Sequence, residues 1–140
     1  MPLPNETVAE AIDTAPLNRG LKGIDWLATE GNIPVTFDNG DVALFDNEGD
    51  GIFQIHLLFK SRGRTAIEHV REATRIMFTE RGASMIFGLV PDFRRDVKLI
   101  GRWAGYRSAG ERWASEGPGL PDTKFELFVL SKFQWKVANR

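Results

Sequence analysis

The chain contains no cysteine, and this absence removes several kinds of site at once. Without a thiol there is no disulfide framework, no cysteine-ligated zinc and no cysteine nucleophile, a pattern that fits a reducing compartment. Histidine is almost as scarce, since His56 and His69 are the only two, and they make a poor metal set. The acidic segment 46–51 imitates the start of a calcium-binding loop, but Leu57 stands where that loop requires a bidentate glutamate. We therefore expect no metal.

Long apolar runs and several common motifs are also missing. No stretch approaches the roughly 20 apolar residues that cross a bilayer, and the first six residues lack the basic and apolar regions of a secretory signal. The patterns G-x-G-x-x-G, G-x-x-x-x-G-K-S/T and G-x-S-x-G do not occur. We expect a cytoplasmic protein that is neither a Rossmann protein, nor a P-loop protein, nor a serine hydrolase.

What is present suits one folded domain over residues 1–140. Hydrophobic residues make up 42% of the chain and charged residues 26%, which is an ordinary soluble composition. Ten Phe, four Trp and one Tyr supply large rigid side chains for a core. At this length no disulfide or metal is needed to stabilise such a core.

The net charge of −1 conceals an asymmetry along the chain. Residues 1–50 sum to −8, so residues 51–140 sum to +7. A positive field over one part of the surface favours an anionic ligand such as a phosphate, or the charges are merely separated along the sequence. The isoelectric point of about 6.1 argues against a nucleic-acid partner.

The first half of the sequence predicts helices followed by a meander of strands. Residues 1–31 are typical of loosely organised helix with a break at 16–18. Three strand-like segments follow, Ile33–Phe37, Val42–Phe45 and Ile52–Phe59, and Asn-Gly or glycine-rich acidic joints between them indicate antiparallel hairpins. The apolar anchors of the helical region are Val8, Ala9, Ile12, Leu21, Ile24, Trp26 and Leu27.

The second half alternates helices and strands. Thr65 and Glu68 match a capping box, and Gly82 stands where a helix would end. Met85–Val90 predicts a strand buried on both faces. Asp92 is then a candidate N-cap for a second helix that stops at Gly105. A Gly/Pro-rich loop from residue 107 and a last strand over 125–130 complete a mixed α/β sheet.

The most informative segment is the turn of residues 60–66, K-S-R-G-R-T-A, between a strand and a helix. Such a turn directs backbone N–H groups and the positive end of the helix dipole toward one point, where an anion binds well. Gly63 allows close approach to the backbone, and Lys60, Arg62 and Arg64 add charge. An ordinary turn with solvated basic residues is the alternative, and Glu68 of the capping box would compete for the amides.

These segments together resemble the GNAT N-acetyltransferases. The resemblance rests on the strand H-L-L-F-K, the turn S-R-G-R-T-A, the helix ending M-F-T-E-R-G, the strand M-I-F-G-L-V-P and the helix ending W-A-G-Y-R, from about Ile52 to Tyr106. It implies a GNAT-like mixed, mostly antiparallel sheet flanked by helices, with acetyl-CoA as the cofactor.

In that family the turn binds the diphosphate of acetyl-CoA through backbone amides, and the preceding strand contacts the pantetheine, opposite a wall that here is 90–93. Lys60 and Thr65 depart from the family's Arg or Gln and its Gly or Ala at the two ends of the pattern. Arg94 replaces a frequent Asn, although a basic face of residues 94, 95, 98 and 102 could contact the 3′-phosphate or be merely solvated. The resemblance implies these cofactor-binding residues: Leu57, Leu58, Phe59, Arg62, Gly63, Arg64, Thr65, Ala66 and Arg94.

Catalysis is less completely specified. Acetyl transfer to an amine needs a group that takes a proton, and His56 is the candidate because imidazole titrates near neutrality and lies on the strand before the turn. A half-buried strand histidine with a structural hydrogen bond is the alternative. Gly101 stands where the family often has a catalytic Tyr, so no general acid is assigned.

The implied function is transfer of an acetyl group from acetyl-CoA to a primary amine of a small-molecule or protein acceptor, which would bind against residues 16–31 and 107–121. The chain also resembles small GNAT-like proteins of tailed bacteriophages in its length and its closing strand K-F-E-L-F-V-L. That second resemblance implies a non-catalytic virion or head assembly protein in the host cytoplasm. Its partners would be phage structural proteins, and a homodimer is a further arrangement that the sequence allows.

Overall fold

The computed structural model describes residues 3–15, 22–115, 119 and 121–139. Within these ranges the chain forms five helices and six strands. In chain order they are α1 Asn5–Asp13, α2 Gly23–Ala28, β1 Ile33–Thr36, β2 Val42–Gly49, β3 Ile52–Leu58, α3 Gly63–Glu80, β4 Met85–Pro91, α4 Arg95–Trp103, β5 Arg107–Ser115, β6 Asp122–Ser131 and α5 Lys132–Ala138. No helix of the described residues is both long and apolar enough to span a membrane.

One six-stranded sheet carries the fold, in the order β1-β2-β3-β4-β6-β5. Every neighbouring pair is antiparallel except β3 and β4, which are joined by the crossover helix α3 and run parallel. A parallel pair needs such a long connection, whereas the hairpin between β2 and β3 does not. The prediction of a mixed, mostly antiparallel sheet flanked by helices is confirmed.

Both faces of the sheet are covered, and strand alternation decides which residue lies on which face. On β2, Ala43 and Phe45 belong to the core that packs against α3, while Val42 and Leu44 belong to a second cluster with α1 and α2. On α3, Val70, Ala73 and Met77 recur at helical spacing and are buried against the first face. Trp26 of α2 is buried against the second face. One anchor differs from the prediction, since Ile24 is 70% exposed. Leu21 and the predicted break at 16–18 lie outside the described residues.

The helix α3 begins three residues earlier than the predicted capping box implied. Its N-cap is Arg62, whose extended backbone is followed directly by Gly63 at a φ of 60°, and no side chain caps the helix. The predicted capping box of Thr65 and Glu68 is therefore wrong, because Thr65 already lies inside the first turn. Gly82, with a φ of 70°, follows the last residues of the helix as predicted.

The start of α4 also differs from the prediction. Arg94 is the N-cap, and Asp92 is not. The Asp92 carboxylate instead accepts a hydrogen bond from Lys98 Nζ at 2.6 Å, so the side chain reaches along the helix surface instead of back to the first amides. Residues 90–93 comprise the end of β4 and the start of the turn that leads to α4, and Phe93 in that turn is 68% exposed.

The C-terminal region contains three elements, β5, β6 and α5, where the sequence predicted a loop and one strand. β5 occupies 107–115 as an exposed edge strand, so it lacks the alternating burial that signals a strand in sequence. α5 follows β6 and is capped by a capping box in which Ser131 accepts from the Gln134 amide. Trp135 packs against Phe78, whereas Trp103 and Trp113 are about two-thirds exposed.

Candidate active site

β3 and β4 separate part of the way along their length and leave a wedge in the middle of the sheet. Their parallel pairing runs only from Ile52 with Met85 to Gln54 with Phe87. Beyond Gln54, β3 stays paired with β2 up to Leu58, whereas β4 stays paired with β6 up to Pro91. Over the described residues, the edge of β3 that faces the wedge therefore has no strand partner after Gln54, and some of its backbone groups are left for a ligand.

A cavity of about 360 Å³ occupies this wedge and the adjoining face of the sheet beneath α1 and α2. Its walls are residues 54–58 on β3 and 88–91 on β4, so only Val90 and Pro91 of the expected wall 90–93 line it. Gly88 brings the strands together at the apex, since a Cβ there would lie 3.2 Å from Cγ2 of Ile55. Ile12, Ala15 and Trp26 close the cavity from the helical side.

His56 lies in this cavity beside a carboxylate that the sequence did not indicate. In the antiparallel register of β2 and β3, Leu44 is opposite His56 and Asp46 is opposite Gln54, so Asp46 and His56 are diagonal neighbours on one face. Nε2 of His56 lies 2.7 Å from Oδ2 of Asp46. The Trp26 indole N–H donates to the other carboxylate oxygen, Oδ1.

The two hydrogen bonds to Asp46 fix its charge state. Burial raises the pKa of the Asp46 carboxyl, but the hydrogen bond and positive charge available from His56, with the Trp26 hydrogen bond, outweigh burial and leave the pKa below its ordinary value. The carboxylate is therefore ionised at neutral pH. An ionised carboxylate only accepts hydrogen bonds, so the Nε2 atom of His56 carries the proton.

The turn before α3 is held by a second, fully buried carboxylate. Oδ1 of Asp41 accepts the backbone N–H groups of Lys60 and Ser61 at 2.6 and 3.0 Å, and Oδ2 accepts the Ser61 hydroxyl and lies 2.8 Å from Nδ1 of His69. The His69 ring stacks on Phe37 with 4.0 Å between centroids. Burial raises the pKa of Asp41, but hydrogen bonds, from Ser61 first and then His69, hold that pKa well below its usual range.

With these two amides engaged by Asp41, the anion-binding capacity of the turn lies further along, at the start of α3. The first turn of an α-helix leaves N–H groups without intrahelical partners, and here no side chain caps them. Gly63 has open space where a Cβ would be. Arg62 and Arg64 are exposed beside it, so a negatively charged group could reach both the amides and the guanidinium groups.

A second cavity, also of about 360 Å³, lies between this helix start and α4. One wall of this cavity is the turn before α3, and the opposite wall is α4 with its N-cap Arg94. Leu57, Arg94 and Val97 line both this cavity and the wedge, so the two form one continuous depression. The remaining lining residues of the second cavity are Phe59, Ser61, Arg62, Gly63, Ile67, Asp96, Leu99, Ile100 and Trp103.

Most of the residues predicted to hold a cofactor come together along this depression. Leu57 and Leu58 line the wedge. Leu57, Phe59, Arg62, Gly63 and Arg94 line the second cavity. The remaining three residues line neither cavity: Arg64 and Thr65 are exposed on the first turn of α3, and Ala66 is buried beneath it.

The predicted basic face of α4 is largely paired with carboxylates. Lys98 contacts both Asp92 and Glu126, at 2.6 and 3.2 Å, and Arg102 lies 3.4 Å from Glu126. Arg94 forms an exposed ion pair with Asp96 at the helix start. These ion pairs leave little positive charge free on the face for a 3′-phosphate, and of the four basic residues Arg94 is the one that lines the cavities.

The position of the missing tyrosine is open space. Gly101 lines the wedge, and a Cβ there would meet only the Phe128 ring, at 4.0 Å. The neighbouring Tyr106 does not replace it as a proton donor, because its hydroxyl is hydrogen-bonded to Oγ1 of Thr74 at 2.8 Å inside the core. Burial raises the pKa of Tyr106 far above neutrality.

Sequence reasoning missed Asp46 and Trp26. Asp46 was placed in the joint after the second strand, whereas β2 continues through it to Gly49. One signal was present in the sequence: with β2 extended, Asp46 falls on the same face as Leu44 and the diagonal neighbour His56. The two histidines do not meet, since each has its own aspartate. The described residues contain no cluster of three or more His, Cys, Asp or Glu side chains that could hold a metal ion.

The fold is that of the GNAT acetyltransferases, as comparison with solved structures shows. The aminoglycoside acetyltransferase AAC(6')-Ib in complex with coenzyme A superposes with a TM-score of 0.68 at 14% identity, over 100% of this chain and 98% of the other. A GNAT-family acetyltransferase from Streptococcus pneumoniae gives 0.64 at 12% identity, over 94% and 97%. The spermidine N-acetyltransferase SpeG from Vibrio cholerae, as a point mutant, gives 0.66 at 8% identity, over 84% and 75%.

The likeness is one of structure and not of sequence. No protein-family model matches the chain, and no curated protein matches it in sequence. The predicted GNAT-like fold is confirmed, whereas the comparisons provide no link to bacteriophage proteins.

Proposed function

We propose that this protein is an N-acetyltransferase that binds acetyl-CoA along the two joined cavities and transfers the acetyl group to a primary amine. The observation that carries the proposal is the divergence of β3 and β4 beside an uncapped helix start, which provides a slot for an extended chain and a binding site for phosphate at its end. The neighbours AAC(6')-Ib and SpeG, by name an aminoglycoside and a spermidine acetyltransferase, support this reading.

The residues of the depression fit acetyl-CoA. The amides at the start of α3, the open space at Gly63 and the Arg62 guanidinium would hold the diphosphate, because free amides and guanidinium groups match phosphate oxygens. The unpaired edge of β3 over residues 57–59 would bind the amide groups of the pantetheine arm. Arg94, at the junction of the two cavities, would add a positive charge near the phosphates.

Acetyl-CoA, when bound, supplies an activated acetyl thioester. In the reaction a C–N bond forms to the amine, the C–S bond breaks, and the sulfur leaves with the electron pair of that bond. His56 accepts the proton that the amine nitrogen loses, at Nδ1, since Nε2 is engaged by Asp46. His56 later returns that proton to water, and water protonates the departing thiolate, so protons balance without a dedicated general acid.

The acceptor would approach from the side of α1 and α2, which line the wedge through Ile12, Ala15 and Trp26. The described residues 3–15 and 22–30 carry five acidic side chains and a single basic one, Lys22. A negative surface attracts a cationic substrate, so it suits an amine that arrives as an ammonium ion and releases one proton to water before the neutral amine attacks the thioester. The proposed acceptor class is therefore a positively charged primary amine.

Two measurements test the proposal in sequence. Calorimetric titration with acetyl-CoA should show binding, and a panel of primary amines should then yield free coenzyme A thiol in a colorimetric thiol assay. Because the protein has no cysteine, the thiol signal would come from the product alone. An absence of binding at millimolar acetyl-CoA would remove the enzyme function and favour a non-catalytic assembly or binding protein on the same fold.

A further inference from the structure

Asp46 and Trp26 form a chain of hydrogen bonds that ends on His56, and this chain lies on the wedge where the acetyl group is proposed to sit. Trp26 is buried, and its indole N–H can only donate, so it requires an oxygen at the position of Oδ1. The second oxygen, Oδ2, is thereby directed at Nε2 of His56, 2.7 Å away. The His56 side chain itself is 43% exposed, into the cavity.

We propose that Asp46, oriented by Trp26, is a positioning residue that fixes the tautomer of His56, with the proton on Nε2 and the lone pair on Nδ1. The structure shows no hydrogen bond from Nδ1 to another described residue, so this atom is available to a substrate proton. When Nδ1 takes that proton, the imidazolium is stabilised by the carboxylate it already contacts. The role in catalysis rests on the proposed function, but the tautomer can be measured without it.

A purely structural role for the pair is less consistent with its exposure. Ion pairs with solvent-exposed partners contribute only about 0–1 kcal/mol to stability, and both side chains of this pair are partly exposed. The buried indole of Trp26, in contrast, has one polar group, and that N–H group donates to the Asp46 carboxylate and orients it. We therefore expect removal of the Asp46 charge to change the imidazole far more than the fold.

The substitution Asp46→Asn makes a sharp test because Trp26 dictates how the new amide is oriented. The indole N–H must still meet the amide oxygen, so the amide NH₂ group faces His56 and donates to Nε2. This reverses the tautomer and places the proton on Nδ1. Nitrogen-15 NMR of the imidazole at pH 8 distinguishes the two tautomers, and the His56 signals are assigned by their loss in His56→Gln, since the chain has only two histidines.

The expected results are specific to each variant. The wild type should show mainly the Nε2–H tautomer, and Asp46→Asn mainly the Nδ1–H tautomer, with kcat lowered about 10- to 100-fold and the KM for acetyl-CoA changed less than about twofold. Adding Trp26→Phe to Asp46→Asn frees the amide to rotate and should restore part of the Nε2–H population. Glu48→Gln, an exposed carboxylate on the same strand, should change neither readout.

Three outcomes would overturn the inference. They are an unchanged tautomer in Asp46→Asn, a double variant that shows no return of the Nε2–H form, and an unchanged kcat in a variant whose tautomer has switched. A wild-type protein that turns over no amine, yet shows the expected tautomers, would contradict the proposed function and the catalytic role while leaving the hydrogen-bond assignment intact.

Discussion

The buried carboxylate of Asp41 provides the most sharply defined prediction, because its side chain is fully buried and every contact is known. In Asp41→Asn, the backbone amides of Lys60 and Ser61 cannot turn, so the amide oxygen must take the place of Oδ1. The NH₂ group then replaces Oδ2, where the Ser61 hydroxyl can turn to accept one hydrogen bond and Nδ1 of His69 can accept the other if the His69 proton moves to Nε2. The hydrogen bonds survive in number but lose their charge.

The cost follows from that loss. Hydrogen bonds to charged groups contribute about 1 kcal/mol more than neutral ones, and of the four bonds to Asp41 the two from backbone amides cannot rearrange, so we expect at least about 2 kcal/mol of destabilisation at pH 7. The pH dependence has a definite sign. Because the pKa of Asp41 is lower in the folded than in the unfolded state, its contribution is complete above the unfolded pKa of about 3.9 and is lost as pH falls below it.

Urea unfolding followed by tryptophan fluorescence at pH 7 and pH 3.5 measures both quantities. The difference in unfolding free energy between the wild type and Asp41→Asn should shrink by about 0.7 kcal/mol between these pH values, because other carboxylates are common to both proteins and cancel. Glu48→Gln should cost less than about 0.5 kcal/mol at pH 7. An Asp41→Asn variant as stable as the wild type, or a difference that grows at acid pH, would refute this reasoning.

Three further predictions concern the cofactor site and the core. Arg62→Glu should weaken acetyl-CoA binding about 10- to 100-fold by calorimetry, because it replaces a charge-assisted contact with repulsion. The control variant Arg81→Glu, at the far end of α3, should leave the affinity within about twofold. Equal effects of the two substitutions would place the phosphate elsewhere. Gly101→Ala should raise the free energy of unfolding by up to about 1 kcal/mol, since the residue is helical and its Cβ would meet only an ordinary contact; a loss of stability would contradict that packing. Thr74→Val should cost about 1–3 kcal/mol by stranding the Tyr106 hydroxyl, and adding Tyr106→Phe should recover most of it, which a double-mutant unfolding cycle would measure.

The elements with strong local periodicity were predicted well. The stripe of apolar residues on α3 depends on neighbours only three or four residues apart, so it is visible in sequence. The apolar runs of β2 and β3 are visible as well, because acidic and glycine-containing joints bound them. The turn of residues 60–66 was also predicted from local sequence, because a strand, a glycine and a helix follow one another directly there. The first residue of α3 was not predicted correctly, because no residue type at Arg62 indicates that its backbone is extended.

Elements without such periodicity were missed. β5 is an edge strand exposed on both faces, so nothing in its residues alternates, and its glycine resembled a loop. The role of Asp46 was missed because it depends on the register between two strands. The capping box at Thr65 was predicted from a local motif and is wrong, because α3 begins before Thr65.

The sequence by itself determined the succession of helices and strands in the central region, the basic turn and the presence of a histidine on the strand before it. These are properties of short segments, fixed by spacing and by residue chemistry. Only the tertiary structure decided where β3 leaves β4, which amides Asp41 occupies and which carboxylate reaches His56. Each of these depends on how strands pair and how a helix packs across them, and such contacts join residues that are 10 to 33 positions apart in the chain.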